Sequence, residues 1–406
     1  MPNGIKPICI LALSLAAGVP SACSHSHPHV GTWNPKAAAV YLDKRELTWM
    51  GWPGTARDHD TFCVSCHTVV PYVLSRPTLR TTLGEQQPSE EERKILENVT
   101  RRVLLWKEVS PYYSKSEYDD AKPAESRGTE AVLNALILAN DDARTGQLGK
   151  VTRTAFTNMW DLQQTEGEAK GSWCWLQFGM EPWEAKDSQY YGAALAAVAV
   201  GLAPENYHSS PVIQKKLDLL RDYLSRKYAT QSTINRVVLL WASTKIPGLL
   251  DSERQHAIIR EVMASQASDG GWELSSLAWP GRWNLHSIIR RSLRSDWTWQ
   301  NSHSDGYATG LITFVLQQAG MPPQNPTVER GLAWLRDNQN REDGFWPSDS
   351  LSLRRNPSSN VGHFMRDAAT AYAVLALSEN KKVSTARDSK PQPPTTLNTK
   401  FDLTGH

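Results

Sequence analysis

Apolar residues recur with helical spacing along most of the chain, and two kinds of segment alternate. One kind is amphipathic, with charge on one side, as in Arg330 to Gln339. The other is apolar on most sides, as in Asp187 to Leu195 and Asp367 to Leu377. A single apolar stripe predicts a helix with one face on a core, whereas a helix apolar all round is enclosed on both flanks. The alternation pairs Ala37–Trp49 with Asp60–Leu74, and Glu90–Trp106 with Ser126–Leu138. It continues with Met159–Gln164 and Asp187–Leu195, Ile213–Ser225 and Ser232–Trp241, Ile258–Gln266 and Asp305–Ile312, and Arg330–Gln339 and Asp367–Leu377. One pair alone cannot bury its apolar face, so repetition predicts an all-α array of about six helix pairs. Charged helices would form its outer layer and apolar helices its inner layer.

The turns inside the pairs carry a second signal. Arg330-Gly331, Trp334-Leu335, Gln339, Gly344 and Trp346 form one spaced run. Gln266 with Gly270 and Trp272, and Gln164 with Gly171 and Trp173, are partial copies. The run resembles the QW motif of squalene–hopene and oxidosqualene cyclases. The resemblance spans about residues 35–380. It implies an α/α toroid of six inner and six outer helices, the fold shared by terpene cyclases and protein prenyltransferase β-subunits. It also implies structural roles: the glutamines cap outer helices and the tryptophans stack between helices.

The activities of those families are not carried by matching residues. The Asp-x-Asp-Asp acid of the cyclases is missing; Asp305 and Asp367 are single acids at the start of apolar segments, where N-capping accounts for them. The spaced Asp, Cys and His of the zinc prenyltransferases cannot be assembled. Leu83 stands where thioester proteins of this fold place Cys before Gly84-Glu85-Gln86.

Cys63-Val64-Ser65-Cys66-His67 is a C-x-x-C-H run. This spacing suits covalent attachment of haem c, with the two thiols on the porphyrin vinyls and His67 as axial iron ligand. A redox dithiol, half of a zinc site and a plain disulfide are the other readings. Aligning Asp60 with Asp305 puts Cys63 and His67 in the first turns of an inner helix, at one mouth of the toroid. Met365 and His363 precede the last inner helix and are candidates for the sixth iron ligand, as are Met180 and His303. Asp305, Asp367, Tyr307, Trp279 and Trp283 are cavity candidates. The long stretch from Trp272 to Asp305 also carries Trp297 and Trp299 and reads as a lid or as packing over the helix ends. Arg76 and Arg80 follow the motif as possible partners of haem propionates, or as solvated surface charge.

Charge is nearly balanced, with 44 Lys plus Arg against 42 Asp plus Glu, and nothing points to nucleic acid. Lys6, the apolar run from Ile8 to Val19 and small residues at Ser21, Ala22 and Ser24 read as a signal peptide over 1–24. Cys23 is a candidate lipid anchor. Residues 25–34 read as a flexible lead-in and 381–406 as a disordered tail. Together these predict an exported, periplasmic haem protein that transfers electrons with a redox partner protein or acts on an apolar small molecule. The alternatives are a non-catalytic toroid binding lipid or sugar, and an isoprenoid cyclase or isomerase.

Overall fold

The computed structural model describes residues 32–114, 120–278, 289, 292–294, 296–300 and 303–388, with 380–388 described by backbone alone. The expected signal segment, Cys23, Trp279, Trp283 and most of the expected tail lie outside these residues. Among the described residues no helix is long and apolar enough to cross a membrane.

Helices alternate between two layers. The outer helices are α1 (Pro35–Gly51), α3 (Glu90–Leu104), α5 (Lys150–Asp161), α7 (Gln214–Lys227), α9 (Ser252–Ala264) and α11 (Pro326–Asp337). The inner ones are α2 (Val69–Leu83), α4 (Lys122–Thr145), α6 (Ser188–Leu202), α8 (Thr233–Ser243), α10 (Gly306–Gln318) and α12 (Asn360–Asp388). Each inner helix packs on the next, from α2 through α4, α6, α8 and α10 to α12, and α12 packs back on α2. The inner layer is therefore a closed ring, and the fold is an all-α toroid of six helix pairs.

Local chemistry starts and stops these helices. Asn34 accepts the Ala37 amide ahead of Pro35, and Ser89 and Glu92 form a reciprocal capping box on α3. Gly84 and Gly146 end α2 and α4 in the left-handed conformation. Outer helices bury a narrow stripe; in α7 it is Leu217, Leu220, Tyr223 and Leu224. On α6, by contrast, every residue from Tyr190 to Val200 is buried. Small side chains let the inner helices approach. At Gly310 of α10, a Cβ would lie 2.6 Å from the Ala373 backbone nitrogen of α12.

The Gln–Gly–Trp turns act as clamps between units. Gln339 Nε2 donates to Gly344 O in its own loop and to Asn34 O at the start of α1, each at 3.1 Å. Gln266 makes the same pair of bonds to Gly270 O and Thr327 O. In the third unit the clamp is Gln163, not Gln164: Gln163 Nε2 donates to Gly171 O and Lys216 O. The Gln164 side-chain nitrogen is buried without a partner. Trp173, Trp272 and Trp346 donate from Nε1 to Met159 O, Val262 O and Leu335 O of the preceding outer helix. The resemblance to QW repeats thus describes structural joints.

Candidate functional site

The C-x-x-C-H run sits at the ring mouth formed by the N-terminal ends of the inner helices. It does not lie in the first turns of α2, as the alignment with Asp305 predicted. Cys63 to Cys66 are loop, and α2 begins at Val69. Asp60 is no helix cap. It has a φ of 52° at the tip of a small hairpin, β1 (Ala56–Arg57) with β2 (Thr61–Phe62). The capping is done inside the motif: Ser65 Oγ accepts the Thr68 and Val69 amides, both at 3.2 Å, and Ser65 O accepts the Val70 amide at 3.1 Å.

The loop is pinned from three sides. Cys63 donates its amide to Thr55 O at 2.9 Å, and Trp49 Nε1 donates to Cys63 O at 2.8 Å. Asn98 of α3 pairs with both backbone groups of Phe62. Arg102, fully buried on α3, binds Glu130 and donates to Thr61 Oγ1 at 2.7 Å. Its guanidinium lies over the Tyr112 ring.

Cys63 and His67 line a pocket of about 310 Å³ with Trp49, Trp52, Tyr112, Tyr113, Phe178, Met180, Glu184, Arg355 and Phe364. Cys66 is buried beside it, near Tyr191, Tyr307 and Tyr372 at the ring interior, and Glu184 acts electrostatically on both thiols. Both thiols are free. Burial pushes Cys63 up to about 11 and Cys66 well above its ordinary value. Such thiols are poor nucleophiles, toward a disulfide and toward a vinyl group alike, while they stay buried. Among the described residues no group of three His, Cys, Asp or Glu is placed to hold one ion.

His67 is the most constrained side chain of the site. Its ring stacks on Phe364 with centroids 3.6 Å apart and packs edgewise on Trp49. Thr68 Oγ1 lies 3.0 Å from His67 Nδ1 and donates its own proton to Asp367 Oδ2 at 2.9 Å. Burial raises Asp367, and Arg45 opposes that rise; with Asp367 ionised beside Arg45, the Thr68 hydroxyl proton goes to the carboxylate, its oxygen accepts, and the imidazole proton sits on Nδ1. Nε2 is left with its lone pair. Burial, followed by Arg45, pushes His67 down to about 3, so the ring is neutral at ordinary pH.

Asp367 is not an N-cap, contrary to expectation. Helix α12 starts at Asn360, so Asp367 lies well inside it. It accepts from Tyr41 Oη at 2.8 Å, Arg45 Nε at 2.9 Å and Thr68. Asp305 does cap α10, accepting the Tyr307 and Ala308 amides. It also accepts from Leu274 N and Ser348 Oγ, beside a void of about 20 Å³ shared with exposed His303, room for one water. Tyr307 is fully buried at the ring interior, edge-on to Trp183 and Tyr372.

Met365 and His363 lie inside the first turns of α12, not before it, and neither lines the pocket of His67. Met180 does. Arg76 and Arg80 are buried against Asp43, Glu85 and Glu92, which leaves neither as a free propionate partner. Glu184 and Arg355 were not singled out from the sequence. Both come from loops distant in the chain, and no spacing links them to Cys63.

No family model matches the chain, and no curated protein matches it. Among solved structures, an unsaturated glucuronyl hydrolase from Bacillus sp. GL1, described as responsible for the degradation of glycosaminoglycan, is similar. It has TM-score 0.48 and 11% identity, over 86% of this chain and 95% of that one. A UGL chain with dGlcA-Glc-Rha-Glc has TM-score 0.47 and 12% identity, over 85% and 95%. At these values the likeness assigns no role to any residue of the site.

Proposed function

We propose that the chain is an exported haem c toroid, with Cys63 and Cys66 carrying the porphyrin and His67 Nε2 facing its iron. The observation that carries the reading is the Asp367–Thr68–His67 relay. It keeps the proton on Nδ1 and the other nitrogen free, as ligation requires. The fit to the group is partial: Cys63 and His67 line the pocket of about 310 Å³, whereas Cys66 is buried away from it among Tyr191, Tyr307 and Tyr372. Both thiols are unpaired, the pocket walls are aromatic, and Met180 shares the pocket with His67 as a candidate second ligand. When bound, haem supplies one-electron exchange at iron. The chain's part is to orient His67, exclude water with Trp49 and Phe364, and hold Glu184 at the pocket wall. Glu184 is raised to about 8 by burial, so it is largely protonated at neutral pH.

The test is to express the protein with haem-attachment machinery, denature it and extract it with acidified acetone. Colour should stay with the chain, and Cys63→Ser with Cys66→Ser should abolish it. Colourless protein, or haem that washes out of the wild type, would refute the reading.

A second reading, a ligand-binding toroid, is favoured by a separate open cleft of about 730 Å³ at the same mouth. This volume lies in the range of small-molecule sites.

A further inference from the structure

The larger cleft lies between the segment Phe345 to Pro357, the start of α12 and the strip around Arg294 and Trp299. Four arginines line it: Arg294, Arg354, Arg355 and Arg366. The only acid on its described wall is Asp349, half exposed and 3.8 Å from Arg294. The arginines are not equivalent. Arg294 is buried, donating to Ser350 O at 2.8 Å and to Trp299 O. Arg366 donates to Pro357 O and lies over the Phe345 ring. Arg354 is exposed and Arg355 half-buried, and neither side chain has a hydrogen bond or ion pair with a described residue. Two fixed guanidinium groups and two unengaged ones therefore converge on one concave surface. Like charges so placed repel one another and are stabilised by an anion that several of them can share. Apolar wall is supplied by Phe345, Met365 and the exposed Trp299.

We infer that this cleft binds a small organic anion bearing two or more carboxylate or phosphate groups, with Arg354 and Arg355 as its principal partners. The guanidinium forks match either acid in bidentate fashion, and the aromatic wall seats the body of the molecule. The inference does not depend on haem. Arg355 lines both this cleft and the pocket of His67, so a bound anion would adjoin that pocket.

The test is a calorimetric titration at fixed ionic strength with citrate, pyrophosphate and, as monovalent control, acetate. Saturable binding of citrate or pyrophosphate, at least tenfold tighter than acetate, is expected. A citrate response alone assigns carboxylate and a pyrophosphate response alone assigns phosphate. Arg354→Ala with Arg355→Ala should weaken binding tenfold or more, while Arg260→Ala on α9 should leave it unchanged. Repeating the titration in the Cys63→Ser, Cys66→Ser variant separates this site from the haem reading. No saturation, binding no tighter than acetate, or equal affinity in the double arginine variant would overturn the proposal. Both arginines are at the surface, and a circular dichroism spectrum matching wild type shows that the variant tested is folded.

Discussion

The third, fifth and sixth helix pairs and the first pair join their layers differently. In the former, a loop tryptophan donates into the backbone of the outer helix and a glutamine ties the loop to the next unit. In the first pair the direction is reversed. Trp49, on the outer helix, donates to the carbonyl of Cys63 in the loop. No glutamine clamp replaces the missing one; the hairpin, Asn98 and Arg102 hold the loop instead. Where the repeat signature is kept, the turn is a joint. Where it is lost, the same position holds two thiols and a histidine, together with a buried charged scaffold that a joint would not need. A buried ion pair such as Arg102–Glu130 gives no strong stabilisation over apolar packing, so its presence here fits the holding of a particular loop geometry.

Five substitutions probe that contrast. The largest effect is expected at a joint. Trp346→Ala removes a fully buried indole and its bond to Leu335 O and should cost about 3–5 kcal/mol in chemical denaturation.

Glu184→Gln should act through pH. The native carboxyl stays protonated up to about 8, whereas in the unfolded chain it ionises near 4.5. Folding therefore holds the extra proton between these values, and wild-type stability should fall as pH rises through that window and level off above it. Denaturation midpoints of the Gln variant should lack this slope, leaving it the more stable protein above pH 8 by on the order of 3–5 kcal/mol. Parallel curves for both proteins would show that Glu184 is not held as described.

Next is the register of the third clamp. Gln163→Ala leaves two carbonyls without their donor and should cost about 1–3 kcal/mol. Gln164→Ala should stay within about 0.5 kcal/mol, and the opposite ranking would reverse the assignment. Thr68→Val takes one partner each from the buried Asp367 carboxylate and His67 Nδ1 and should likewise cost about 1–3 kcal/mol. If haem is attached, this variant should also shift the reduction potential, because the proton on Nδ1 loses its acceptor; an unchanged potential would remove the relay from the account.

The ring of helix pairs was legible because inner helices are apolar on all sides and outer helices on one, a difference that survives in any single sequence. The joints were nearly legible. Gln163 and Gln164 are adjacent, and only the three-dimensional path decides which one faces Gly171. Helix starts were harder. Asp60-Thr61 looks like a cap but is a hairpin tip, because Ser65, buried within the motif, takes over the capping. Asp367 looked like a helix start because the polar turn before it, from Asn360, is helical too. Cys63 and His67 were visible by spacing, and Met180 stood among several methionine and histidine candidates. Glu184 and Arg355 reach the pocket only through ring closure, which spacing along the chain cannot report.

That closure rests on the bonds from Gln339 to Asn34 and on the packing of α12 against α2, which join opposite ends of the chain. Synthesis must therefore proceed from Asn34 past Asn360 before these two units can meet. Until then the flank of α2 that α12 covers has no partner, and Cys63 and Cys66 lie on the loop just before that helix. Contacts of such long reach are made slowly. Any attachment chemistry at Cys63 and Cys66 would thus find them most accessible during the interval between synthesis and the sealing of the ring.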